Sequence, residues 1–289
     1  MPHMSLRRRR LYFYSFCLIF FVLIPVLVFY ANGYRITKDW QVAETGGIYV
    51  YASESNADVS LNGVLLQKSG IFQRGTFLDG LTEGKYEISV SKADFSSWKK
   101  DIEVKEGFVT EGHPFLIPLN IEPVLIPEFS TSTATSTKIK NPDYADALLL
   151  FQKSLVKKTL ATTTLSYGED ALRNGNLVVF ETGTQLQAVW LGDTNSMPYF
   201  FCHAVLCGTD TSATSTVYTN VVPKSHLEFL PRRTDVVLLE TKEGIEAVEL
   251  DTTFPQNAVL VYPTKTADFR VSNGVIYLKD GANISKINL

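Results

Sequence analysis

The stretch from Leu11 to Ala31, LYFYSFCLIFFVLIPVLVFYA, carries no charge over 21 residues. A helix rising 1.5 Å per residue covers a hydrocarbon layer of about 30 Å in that length, so the run predicts a transmembrane helix. Pro25 would break a soluble helix but is tolerated in lipid as a kink at most. Tyr12, Tyr14 and Tyr30 stand near the ends, where amphipathic rings favour the interface. A cleaved signal peptide is the competing reading. It is opposed by an apolar run longer than the usual 7 to 15 residues and by bulky Phe29 at the one position, Phe29-Tyr30-Ala31, where a small-residue cleavage site could fall. Arg7, Arg8, Arg9 and Arg10 precede the run as a block, and the positive-inside rule holds them in the cytoplasm and exports everything after Ala31. The expected location is the cell membrane, single-pass, as a signal anchor.

The formal net charge of −3 conceals an asymmetry: without the four arginines, 23 basic residues face 30 acidic ones. An exported body that acidic is no nucleic-acid binder. It holds two cysteines, Cys202 and Cys207, in YFFCHAVLCGTD, while Cys17 lies inside the apolar run. An oxidising compartment favours a disulfide between the pair. A metal site is the rival reading, but a CxxC partner and a ligand cluster are missing, and His203 alone does not complete one.

Composition divides the rest of the chain. Residues 1–10 form a basic tail, 11–31 the span and 32–45 a juxtamembrane segment. Residues 46–120 read as a small β-sandwich, with strands at Ile48–Ala52, Asp58–Gly63, Tyr86–Lys92, Trp98–Val104 and His113–Leu119. Residues 121–140, with Pro123, Pro127 and the tract STSTATST, read as a linker. Asn141 as N-cap, Pro142 at the first helical position, Asp143 in the first turn and Lys157 and Lys158 at the end predict an amphipathic helix over 141–160. From 172 to 289 a turn–strand–turn–strand pattern recurs at Asn174–Gly192, Arg233–Asp251 and Ser272–Leu289. The interval of about 39 residues with four strands is that of a β-propeller blade, yet the length suffices for three blades or four, so an incomplete propeller is expected. A second Ser/Thr tract, Thr209 to Thr216, reads as an exposed hairpin tip. The fold class is thus mostly β: one N-terminal membrane helix, a small sandwich and a C-terminal antiparallel domain resembling an incomplete propeller.

Catalytic motifs are missing: no HExxH, GxSxG, Walker loop or GxGxxG occurs, and no cofactor is expected. His3, His113, His203 and His226 are scattered. Asp235, Asp251 and Asp280 stand at strand ends and turns, where Asp normally bonds local backbone; a paired-carboxylate site of the glycosidase kind would have to draw on residues of this type. Tyr49, Tyr51, Trp98, Trp190, Tyr199 and Phe200 could form a sugar- or protein-binding face, or fill cores.

The stretch GIYVYASESNADVSLNG resembles the beginning of the PEGA domain, a β-sandwich module of surface proteins. Glu54, Ser55, Asn56 and Ala57 occupy the turn for which that family is named, and a strand ending at Asn62-Gly63 follows. Gly84, Tyr86, Phe95, Trp98 and Gly107 in LTEGKYEISVSKADFSSWKKDIEVKEG match the later glycine turn, tyrosine strand and tryptophan segment. The naming turn here lacks proline and carries Asn56 at its glycine position, a residue tolerant of the left-handed backbone. The resemblance covers roughly 75 residues and implies a fold and an extracytoplasmic setting, not an activity. The order of anchor, PEGA-like unit, linker and propeller-like tail is similar to that of bacterial envelope proteins. The expectation is therefore a non-enzymatic envelope protein that binds or scaffolds a protein or envelope glycan at the cell surface. The alternative is an enzyme or enzyme subunit acting on envelope polymers. Signalling is disfavoured, because about ten residues before the span are too few for an output domain.

Overall fold

The computed structural model of the chain describes residues 6–36, 40–51, 54–68, 75–131, 138–152, 167, 171–201, 214–219, 221 and 226–289. The protein is mostly β. A single long helix, α1 (Leu6–Ala31), opens the chain and is long and apolar enough to cross a membrane. Arg7 to Arg10 occupy its first turns, exposed. Beyond it β1 (Tyr34–Ile36) and β2 (Val42–Glu44) pair antiparallel.

The sandwich begins at β3 (Gly46–Tyr51), followed by β4 (Asp58–Leu61), β5 (Val64–Lys68), β6 (Gly75–Leu81), β7 (Gly84–Ser91), β8 (Trp98–Val104) and β9 (Val109–Gly112). Its two sheets run β6-β3-β9, with β3 and β9 parallel, and β5-β4-β7-β8. Strict alternation drives the packing: Ile48 and Val50 from one sheet meet Val59, Ile88, Val90, Trp98, Ile102 and Val104 from the other in one core. The strand expected at His113–Leu119 does not form. Pro114 and Pro118 lack the N–H a ladder needs. The segment instead crosses the sandwich as an extended chain, burying Phe115, Leu116 and Ile117 and exchanging bonds between Ser96 and Ile117. The elements β5, β6 and β9 have no counterpart in the sequence reading.

A correction applies to the segment 121–140. It contains β10 (Val124–Ile126), which pairs with the last strand of the chain, and the strands β11 (Phe129–Thr131) and β12 (Lys138–Lys140), which pair with each other. The helix α2 (Pro142–Gln152) follows, capped by the Asn141 side chain on the Asp143 N–H at 3.0 Å; residues 153–160 of the expected helix lie outside the described residues.

The remaining strands are β13 (Leu172–Asn174), β14 (Leu177–Thr182), β15 (Gln185–Trp190), β16 (Thr214–Tyr218), β17 (Glu228–Phe229), β18 (Val236–Glu240), β19 (Gly244–Glu249), β20 (Ala258–Pro263), β21 (Asp268–Ser272), β22 (Val275–Asp280) and β23 (Asn283–Ile287). Among the described residues they form three four-stranded antiparallel sheets: β13-β14-β15-β16, β17-β18-β19-β20 and β10-β23-β22-β21. Each repeat found in the sequence is the central hairpin of one sheet. Residues 214–216 of the second Ser/Thr tract are strand rather than hairpin tip, because their backbone completes the first sheet against β15.

The second sheet is buried on both faces. Val237, Leu239, Val248 and Leu250 pack on the first sheet, while Val236, Leu238, Ile245 and Ala247 pack on the third sheet and the sandwich. A four-residue apolar run, Val236 to Leu239, therefore replaces the alternation of a half-exposed strand. The outer face of the third sheet is covered by α2 through Tyr144, Ala147, Leu148 and Phe151 against Ile126, Ile284 and Tyr277. The first and third sheets share no apolar cluster among the described residues, so the stack is an open wedge with a helix closing one end.

Candidate functional site

The sandwich and the wedge meet along β8. In WKKDIEV the burial alternates, which places Lys100 on the inner face between Trp98 and Ile102. An inward lysine must find anions, since an unpaired buried charge is intolerable. Its Nζ lies 2.9 Å from Glu249 and 3.2 Å from Asp251 of the wedge, and donates to the Asp251 carbonyl at 3.1 Å. Glu249, 1% exposed, also accepts from Asn257 at 2.9 Å and from the Trp98 indole at 3.4 Å. Burial pushes the Glu249 carboxyl above the usual glutamate range, and neighbouring Asp251 adds to the rise; Lys100 and Asn257 oppose it without reversing it.

Outside this cluster the wedge covers the edge of β8. The Asn257 amide accepts from the Lys99 N–H at 3.2 Å and donates to the Lys99 carbonyl at 3.0 Å, as a neighbouring strand residue would. Two residues along, the Asp101 N–H donates to the Phe254 carbonyl at 3.0 Å. Farther along the same strand the Glu103 carbonyl accepts from the Thr110 hydroxyl at 2.9 Å.

A second polar anchor stands next to the first, where the Leu250 N–H donates to the Asp235 carbonyl at 2.8 Å and Val236 pairs with Glu249 across the hairpin. Arg233 grips both Asp235 oxygens and donates to the carbonyls of His113 and Pro114 at 2.8 and 3.0 Å, which tethers the segment leaving the sandwich. Tyr199 donates to Asp235 at 2.7 Å, and its ring stacks on His113 with 4.2 Å between centroids. Burial alone would raise Asp235, but the hydrogen bonds and charge of Arg233, with the Tyr199 hydroxyl, hold it below the usual carboxylate range. Tyr199 is pushed far above the ordinary phenol value, first by burial and then by Asp235.

Beside the anchors a cleft of about 880 Å³ opens, lined by β8, β9 and Phe108 of the sandwich and by Met197, Tyr199 and Asp251–Phe254 of the wedge. Phe108 and Phe254 are 52% and 77% exposed at its sides. Lys85, Lys105, Asp101, Glu103 and Glu111 add both signs of charge. Apolar side walls and mixed charge suit an extended polymer more than a small anion.

The residues singled out from sequence fall in different places. Asn56 adopts φ 59°, and Asn62 and Gly63 adopt φ 48° and 78°, the pair of positive values a two-residue type I′ hairpin requires. Ala57 and Trp98 are core, Glu54 takes the Lys92 ammonium at 2.8 Å, and Tyr86 donates to the Thr82 carbonyl at 2.9 Å beside Gly84. Asp235 and Asp251 serve the two anchors, which the pairing of β18 with β19 brings together, whereas Asp280 of the third sheet stands apart and accepts from Thr266. His226 pairs with Glu228. Cys202, Cys207, His3 and His203 lie outside the described residues, and Cys17 is a free thiol. Among the described residues no cluster of His, Cys, Asp and Glu could hold a metal. Of the aromatics, Phe200 is core; Tyr49 and Tyr51 remain over one-third exposed beside Phe77. Gly75 makes room for Tyr49, since a Cβ there would fall 2.0 Å from its hydroxyl. Lys100, Glu249, Asn257 and Arg233 were missed; the available signal was a lysine at a core position of an alternating strand.

No family model matches the chain, and no curated protein matches it. Among solved structures, the chain is similar to a quinonprotein alcohol dehydrogenase-like protein from Bacteroides thetaiotaomicron, at 12% identity and a TM-score of 0.26, with 86% of this chain and 54% of that chain covered. The chain spans about half the length of that structure, and a likeness this loose carries no argument about fold or chemistry.

Proposed function

We propose that this chain is a non-enzymatic, membrane-anchored envelope protein whose bulk lies outside the cytoplasm. In this reading the sandwich is a PEGA-like module, and sandwich and wedge together present the junction cleft to an extended partner, a protein segment or an envelope glycan. The observation that carries the reading is the cleft itself, whose two sides come from different units locked together by buried bonds. A shared, rigid-walled groove is what a scaffold needs to hold a polymer without remodelling. The carboxylates nearest the junction support the non-enzymatic reading, because they bind structural cations: Glu249 and Asp251 share Lys100, and Asp235 pairs with Arg233.

The test places a photo-crosslinking amino acid at Phe254 and, as control, at Leu65 on β5, in cells producing the full chain. An adduct at Phe254 alone supports the reading; adducts at Leu65 but not at Phe254 would refute the cleft. Turnover of a peptidoglycan or glycan panel that disappears in Asp251→Asn would replace scaffold by enzyme. For topology, Glu83→Cys, in a chain with Cys202 and Cys207 changed to Ser, should react with a membrane-impermeant maleimide in intact cells.

A further inference from the structure

The helix does not end in a free tether. Past Ala31 the Asn32 and Gly33 N–H groups close the last turn on Val28 and Tyr30, and the returning chain is pinned where Thr45 donates from both backbone and hydroxyl to the Gly33 carbonyl, at 3.0 and 2.6 Å. Arg35 reaches back to donate to the Tyr30 carbonyl at 2.7 Å and stacks its guanidinium 3.8 Å above the Tyr30 ring. Tyr34 meets Phe29 edge-on at 5.4 Å. These contacts hold the start of β1 beside the final helical turn. Three apolar side chains of the same hairpin are exposed: Ile36 and Val42, a cross-strand pair, at 69% and 64%, and Trp40 at 87%.

We infer that Trp40, Ile36 and Val42 form a second membrane contact, seated in the interfacial layer of the leaflet from which α1 emerges. The inference rests on reading α1 as membrane-spanning. Continuity decides the occupant: β1 adds three residues to the helix, a reach of about 10 Å, and is held beside the last turn, which itself belongs to the bilayer. Tryptophan is the side chain best suited to that layer, having an apolar body and a polar tip. The consequence is orientation. The hairpin is bound to the sandwich by the Gly107 N–H on the Thr45 carbonyl and by Arg35 with Asp79, so a hairpin fixed in the interface fixes the height of the junction cleft above the bilayer.

The experiment uses the full chain reconstituted into phosphatidylcholine vesicles brominated near the headgroup end of the acyl chains. Trp98 is buried and the Trp190 indole is hydrogen-bonded to Asp193, so the difference between wild type and Trp40→Phe isolates Trp40. Its fluorescence should fall at least twofold relative to unbrominated vesicles and resist aqueous iodide. If the chain floats with vesicles but Trp40 is unquenched by lipid and open to iodide, the inference fails and the anchor stands. Shielding from both quenchers means that the chain itself or a second copy of it covers Trp40, and likewise overturns it. A chain that does not float overturns the anchor and the inference together.

Discussion

The two buried charge clusters at the junction solve one problem in opposite ways. Arg233 and Asp235 form a one-to-one pair on a single strand approach, with the guanidinium fork matching both carboxylate oxygens, and Asp235 is held low. Lys100 is a single ammonium shared between Glu249 and Asp251, so its cluster carries an unbalanced negative charge, and Glu249 is pushed up. Planar, bidentate recognition neutralises a buried carboxylate, whereas a point charge divided between two does not. The first cluster crosses between units through neutral carbonyls. The second crosses through the charges themselves, so the lysine cluster is the more fragile part of the junction.

The largest expected effect therefore belongs to Lys100→Met, which leaves Glu249 and Asp251 buried without a cation. A loss of about 3 to 5 kcal/mol at pH 7 should appear in guanidinium unfolding of the detergent-solubilised full chain, and should shrink as acid protonates both carboxyls. Asp235→Asn should cost about 2 to 3 kcal/mol at pH 7, because Arg233 loses its charged partner. In the wild type the Asp235 contribution is complete above the ordinary aspartate value near 3.9 and is lost as pH falls through the lowered native value. The variant should be flatter in that acid window.

Asn257→Ala tests the neutral part of the junction, with a cost of about 1 to 2 kcal/mol. Hydrogen exchange should quicken at the Lys99 amide while the Asp101 amide, held by Phe254, keeps its protection. Glu249→Gln should cost least, within about 1 kcal/mol at pH 7, since Lys100 keeps Asp251. Because the native Glu249 pKa is raised, its contribution is full below the ordinary value near 4.3 and fades as pH rises through the native value; the glutamine variant should lack that decline. A loss in Glu249→Gln as large as that in Lys100→Met would break the asymmetry between the clusters.

Much of the frame was readable because its signals are local. The period-two strands β3, β4, β7 and β8 and the central hairpins of the wedge sheets follow from alternation and turn residues. The short elements β9 and β10 did not, since three or four residues beside glycine or proline carry no resolvable period. The candidate site was legible only as types of residue: Trp98, Tyr199, Asp235 and Asp251 were singled out without their partners. The inward position of Lys100 was available from the alternation around it, but a buried lysine acquires meaning only when its anions are known.

The chain alone dictates the elements that need no distant partner. A charge-free run of membrane length, an Asn62-Gly63 turn and an alternating strand are set by solvent preference and backbone sterics within a few residues. Folding in three dimensions settled which edges meet: β10 joining β23 across the whole wedge, Asn257 standing in for a strand beside Lys99, and Lys100 meeting Glu249 about 150 residues later. Sequence periodicity shows which face of a strand is buried. It does not show against what, because any apolar face satisfies the hydrophobic term while hydrogen bonds and ion pairs select the neighbour.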